Sequence, residues 1–169
     1  MAAGAPASIN IEECLAALQL VRVADRAKVT KTWLHGWATS HRIKGDVVHN
    51  CLLGCDDSID GLSHYMQCPR LYAVCKFVRN DSPSCPLERC GLKNPSKQNL
   101  LMTACAFGAY HALKNQIRSG DNANRSDIDY RANWTFFAQS FMAEAVERSL
   151  VQTLFSLSEF DHFLDHLQH

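Results

Sequence analysis

The sequence lacks the signatures that usually mark a catalytic centre. It has no Gly-rich phosphate loop, no G-x-S-x-G elbow and no H-E-x-x-H pair. Phosphate cradling by a Walker loop, acyl transfer from a strained serine and zinc proteolysis therefore have no carrier here. It has no run near the roughly eighteen apolar residues of a membrane-crossing helix. Net charge is also absent, with 17 Lys and Arg against 17 Asp and Glu. A global attraction to nucleic acid or anionic lipid is thereby excluded, and any polyanion contact must come from a local patch. No stretch alternates apolar and polar residues well enough for a sheet, though a small hairpin beside Cys51 is compatible with the turn residues there. At 169 residues the chain is long enough to bury a real core.

Cysteine is what the chain does have, eight in all. The opening Met-Ala-Ala-Gly-Ala-Pro-Ala-Ser has neither the basic nor the apolar region of a secretory signal. The expected location is intracellular, nuclear or cytoplasmic, and not secreted. In that setting cysteines serve as metal ligands or buried thiols rather than bridges. The three glycosylation sequons at Asn80, Asn124 and Asn133 then count as chance matches.

Four residues stand in one pattern, Cys51-x3-Cys55-x8-His64-x3-Cys68, with Gly54 before the second cysteine and Pro69 after the last. Three thiolates and an imidazole are the donor set of a closed, tetrahedral structural zinc site. The glycine allows a tight turn between the first pair, and His64 and Cys68 are four apart, one helical turn. Four protein ligands leave no open position for water, so the expected Zn2+ is structural and the chain is expected not to be an enzyme. No small-molecule substrate and no membrane partner is evident. Cys75, Cys85 and Cys90 could hold a second ion but lack a common zinc spacing, and free thiols are the simpler reading of them.

The predicted fold is mostly α, an irregular helical domain with a small CCHC zinc knuckle. Residues 1–80 would hold the N-terminal helices and knuckle, 81–99 a Pro-rich linker, and 100–169 a C-terminal helical region. Asn10 and Glu13 resemble a capping box, and Ile11, Cys14, Leu15, Leu18 and Val21 recur at helical spacing behind them. A second helix is expected over about 24–38, interrupted at Gly36. The region from Ser63 to about Arg79 is either one kinked helix or two, split at Pro69. A strong helix opens at Ser96 or Asn99 and is capped by Gly120. Its small residues Ala104, Gly108 and Ala112 permit close packing. A long helix over about 129–157 would bury Trp134, Phe137, Phe141 and Ala145, and a short terminal helix would carry His162, His166 and His169.

The only strongly basic segment runs from Arg22 to Lys44. Arg26, Lys28, Lys31, Arg42 and Lys44 are the candidate phosphate contacts, with Trp33 and Trp37 among them. Cations interleaved with aromatics suit backbone contact plus base stacking. The simpler expectation for the tryptophans is burial in the core behind a solvated basic face.

Three runs resemble a known family: Lys31-Thr-Trp33-Leu-His-Gly36-Trp37-Ala-Thr-Ser40-His-Arg42, Cys51-Leu-Leu-Gly54-Cys55, and His64-Tyr65-Met-Gln-Cys68-Pro69-Arg-Leu71. Together they look like the C-terminal CCHC zinc-knuckle region of non-LTR retrotransposon reverse transcriptases. The likeness spans about residues 25–80 and implies Cys51, Cys55, His64 and Cys68 as ligands, with template RNA or target DNA as partner. The Tyr-x-Asp-Asp motif of the polymerase and the Pro-Asp…Asp signature of the endonuclease are missing. The resemblance thus implies a detached or domesticated nucleic-acid-binding piece. The alternative is a helical protein–protein interaction domain, docking through its C-terminal helices, in which zinc serves the fold alone.

Overall fold

The computed structural model describes residues 9–43, 49–79, 85–119 and 129–151. Among them the fold is mostly α, with eight helices and no strand. In order these are α1 Ile11–Gln19, α2 Val23–Trp33, α3 Ser40–Ile43, α4 Leu62–Tyr65, α5 Pro69–Arg79, α6 Pro86–Arg89, α7 Lys97–Ser119 and α8 Tyr130–Glu147.

The long α7 is the axis on which the others assemble. Every residue from Asn99 to Phe107 is buried, and a helix apolar all round belongs at a centre rather than an edge. One side, Leu100, Leu101 and Ala104, packs with Ala17, Val21 and Val29 of the α1–α2 region. The other side, including Cys105, Ala109 and Leu113, joins Trp134, Phe137, Phe141 and Ala145 of α8 and Val74 of α5. The same apolar cluster takes in Trp37, Cys51, Leu52, Leu53, Tyr65 and Cys68, so the core draws on residues from both sides of the Pro-rich stretch.

Local signals place the helix ends. Asn10 caps α1, its Oδ1 accepting the Glu13 N–H at 3.2 Å, as the capping pattern predicts. Ser96 Oγ accepts the Asn99 N–H at the start of α7. Pro69 opens α5, resolving the two alternatives for residues 63–79 in favour of two helices. Proline suits a first helical turn, where its missing N–H would have no partner anyway. Helix α2 stops at Trp33, earlier than expected, because His35 turns into the left-handed region (φ 57°). Helix α8 stops at Glu147, with Ser149 at φ 55°. The expected terminal helix, its three histidines and the Gly120 cap lie outside the described residues.

Ile11 and Leu15, two of the apolar residues at helical spacing in α1, are 68% and 53% exposed. Burial falls on Cys14 and Ala17 instead, Ala17 packing against Leu100, Leu101 and Ala104 of α7 and Cys14 reaching Leu92 O.

Helices α2 and α8 are joined by charge across α7. Arg148 reaches Asp25 Oδ1 with Nε at 2.8 Å and Nη2 at 2.7 Å, and Arg22 Nε holds Oδ2 at 3.1 Å. Burial alone would raise the Asp25 carboxyl, but the bonds from Arg148 and Arg22 override it and hold the group below its ordinary range. Lys28 Nζ meets Glu144 Oε2 at 2.6 Å. Gly108 leaves the room for that carboxylate, since a Cβ there would stand 2.7 Å from it.

Candidate metal centre

Residues 49–60 fold back on themselves as a narrow loop. The Cys51 N–H donates to Ser58 O at 2.6 Å and the Asp60 N–H to His49 O at 2.9 Å. The possible hairpin reduces to one antiparallel bridge, Asn50 with Ile59. Within the loop Gly54 adopts φ 83° and its N–H closes a turn on Cys51 O at 3.0 Å. Cys51 and Cys55 are thereby brought to one side. A Cβ on Gly54 would stand 2.9 Å from Tyr130 Cβ at the start of α8. Gly54→Ala is expected to cost about 2 kcal/mol, from the left-handed backbone and the collision together. Denaturant unfolding measures it, and an unchanged midpoint would contradict the packing described.

The second ligand pair comes from the α4–α5 junction. His64 lies in α4 and Cys68 immediately precedes Pro69, with its Sγ accepting the Leu71 N–H at 3.5 Å. The expected one-turn separation is achieved across a break between two helices rather than along one. The four ligand atoms of Cys51, Cys55, His64 and Cys68 all lie within 4.8 Å of one another, and Cys55 Sγ is 3.5 Å from Cys68 Sγ. Ligands of a tetrahedral ion with metal–sulfur bonds of about 2.3 Å stand roughly 3.5–4 Å apart. The donor set and its dimensions therefore fit a metal ion. His64 Nε2 adds to this fit, being buried with no hydrogen-bond partner in the protein, a state that buried polar atoms rarely keep.

The electrostatics of the thiols point the same way. Cys51 is lowered to about 5, chiefly by the hydrogen bond from the Cys68 thiol, with backbone bonds at Cys55 and Leu53 assisting against burial. Cys55 is lowered to about 7, again chiefly by Cys68. Cys68 is raised by its hydrogen bonds with Cys51 and Cys55 and by burial. Cys51 and Cys55 are thus disposed toward the thiolate form in which cysteine ligates a metal.

Beneath the loop lies a polar fastener with no signature in the sequence. Asp60 is fully buried. Its Oδ1 accepts from Tyr65 at 2.8 Å and Tyr110 at 3.0 Å, and its Oδ2 from the Ser40 N–H at 2.6 Å and Lys114 at 3.5 Å. Around it Trp37 stacks on Tyr65 (5.6 Å between ring centroids) and meets Tyr110 at 4.6 Å. Burial and the neighbouring carboxylate push the Tyr65 and Tyr110 hydroxyls far above their ordinary range, so both stay protonated donors. In the sequence Asp60 is one acid among several in the loop. Nothing at sequence level distinguished it from the exposed Asp56 and Asp57.

The other predicted residues scatter. Trp37 is buried and its indole N–H donates to Thr32 Oγ1 at 2.9 Å, while that of Trp33 donates to Cys90 O at 2.8 Å. Both tryptophans serve the core. Arg26 is turned back onto Val21 O and Gln19, and Lys28 is paired with Glu144. Lys31 and Arg42 are exposed, and Lys44 lies outside the described residues. No cysteine is disulfide-bonded. Among the described residues Cys75, Cys85 and Cys90 form no metal-binding group, and that of Cys51, Cys55, His64 and Cys68 is the one cluster with suitable geometry.

Fold and site thus define a mostly α-helical protein with a Cys3His cluster able to bind a metal ion. No protein-family model matches the sequence, and neither a curated protein nor a solved structure matches the chain.

Proposed function

We propose that the chain is a zinc-knuckle nucleic-acid-binding module of retroelement origin, without polymerase or endonuclease activity of its own. The observation that carries the reading is the gathering of Cys51, Cys55, His64 and Cys68 within 4.8 Å, in the order and spacing of the knuckle the sequence resembles. Zn2+ is the ion a Cys3His set of these dimensions suits best, and its role is structural. It ties the 49–60 loop to the junction of α4 and α5. RNA or DNA is the partner. Lys31 and Arg42, exposed and without an ion pair among the described residues, are the cations of the basic segment best placed to meet phosphate.

The test is binding of the zinc-loaded chain to labelled single-stranded RNA and duplex DNA over a salt series. Affinity is expected to fall by at least about tenfold between ~50 and ~200 mM salt, as counterion release by a few phosphate contacts requires. Absent or salt-independent binding would overturn the nucleic-acid reading.

A second reading has one observation in its favour. Ile11, Leu15, Leu20 and Val23 are more than half exposed along α1 and the turn into α2, an apolar surface of the kind that marks protein contact. A helical protein–protein interaction domain with purely structural zinc would be supported by a partner lost on Leu15→Glu and kept on reversing the cations.

A further inference from the structure

The basic segment from Arg22 to Lys44 is contiguous in sequence, but the fold spends much of its charge internally. Arg22 is bonded to Asp25 and Glu147, Arg26 to backbone and side-chain oxygens of residues 19 and 21, and Lys28 to Glu144. What replaces them comes from α7. That helix carries no Asp or Glu in its 23 residues. In its second half His111, Lys114, Asn115 and Arg118 follow at i, i+3, i+4 and i+7, which is one helix face. Asn115 and Arg118 on that face are exposed.

Two contacts bring other elements to this face. The Lys31 ammonium of α2 sits 5.9 Å from the centre of the Phe107 ring, on which the His111 ring also lies at 4.2 Å. Asp60 Oδ2 holds the Lys114 ammonium and the Ser40 N–H together. This pins the start of α3, with exposed His41 and Arg42, beside α7. Of the carboxylates against α7, Asp60 is fully buried and Glu144 is engaged by Lys28 and Arg148. The field is felt at His111, whose protonated form is disfavoured first by burial and then by Lys31, Lys114 and Lys28.

We propose that the polyanion-binding face is a tertiary surface made by Lys31 of α2, Arg42 of α3 and Arg118 of α7, all three exposed, and that its ligand is the phosphate backbone of a nucleic acid. The inference rests on the nucleic-acid reading above and adds α7 to it. Lys114, one turn before Arg118, is held by the buried Asp60 and serves to fix α3 beside α7. With Phe107 buried and both Trp33 and Trp37 used by the core, the face offers charge without a stacking platform. Recognition is therefore of backbone rather than of bases.

The experiment is fluorescence anisotropy with the zinc-loaded full chain and labelled RNA or duplex DNA of about 20 nucleotides or base pairs, across a salt series. Lys31→Glu/Arg118→Glu is expected to weaken binding about tenfold or more, and Lys31→Gln/Arg118→Gln to lower the salt slope by about 1.5 to 2. Lys76→Glu, on the exposed side of α5, is expected to leave affinity within about twofold. Zinc content and melting temperature confirm that each variant is folded. A wild-type chain that binds neither probe overturns the nucleic-acid reading itself. A wild-type chain that binds, with folded variants at positions 31 and 118 binding equally well, overturns the α7 face alone.

Discussion

Replacing Cys68 by serine is expected to abolish metal binding and to lower stability by on the order of 4 kcal/mol or more, because a structural zinc site contributes its binding energy directly to folding. In a chain of this size that is a fall of about 8–16 °C in Tm. Cys68 is the ligand where the effect should be greatest. It is fully buried, it bonds the Cys55 thiol and the Leu71 N–H, and it lies in the main apolar cluster with Leu71 and Val74. A hydroxyl there is a poor zinc ligand and a polar group in an apolar site. The measurement is zinc per chain by atomic emission, with thermal melting alongside. One equivalent in the wild type and none in Cys68→Ser is the expected pair, and Cys85→Ser, outside the four-residue group, is expected to keep its zinc. If Cys68→Ser fails to fold, the wild type treated with a chelator and then re-supplied with zinc serves instead. It should lose and regain the same stability. A wild type that purifies without metal, and takes up none, removes the zinc assignment.

Asp60→Ala carries the second large effect. The substitution strands the Tyr65 hydroxyl, the Ser40 N–H and the Lys114 ammonium at once, and leaves the Tyr110 hydroxyl only the longer bond to Ala38 O at 3.5 Å. Each unsatisfied buried donor costs about 1–3 kcal/mol, and a buried ion-pair partner left alone costs about 3–5 kcal/mol. Partial relaxation of Lys114 toward solvent moderates the sum, so a loss of about 4 kcal/mol is expected. Asp60→Asn, which keeps an acceptor for the two tyrosines, is expected to lose roughly half of that. Denaturant unfolding followed by tryptophan fluorescence is suitable, since Trp37 is in contact with both tyrosine rings. An Asp60→Ala chain as stable as the wild type would show that the loop and α7 are held by apolar packing alone. The consequence reaches beyond stability, because the same carboxylate sets α3 beside Lys114. Loosening it is a way to disperse the cations without altering one of them.

Both effects bear on how much of this protein can be read without its fold. The metal cluster was legible because its signal is chemical and local: ligand-competent residues at turn and helix spacing, with a glycine where the chain must turn. The capped starts of α1 and α7, the break at Pro69 and the buried aromatics of α8 were legible for the same reason. Each depends on a few neighbouring residues. Helix ends set by left-handed residues were less so. His35 and Ser149 have side chains that do not require that conformation, and tertiary packing imposed it on them.

The sequence by itself determined the helical class, the identity of the four metal-ligand candidates and the presence of surplus cations just upstream of Cys51. The tertiary structure decided which acids were buried as fasteners and which cations remained available. Asp25 and Asp60 are ordinary aspartates until Arg148, 123 residues away from the first, and Tyr110, 50 residues from the second, close around them. Lys28 is a surface lysine in sequence and an ion-paired one once α8 arrives. The physical reason is range. Hydrophobic period, capping and ligand spacing act over a few residues, whereas the state of a charge depends on which distant groups share its low-dielectric surroundings.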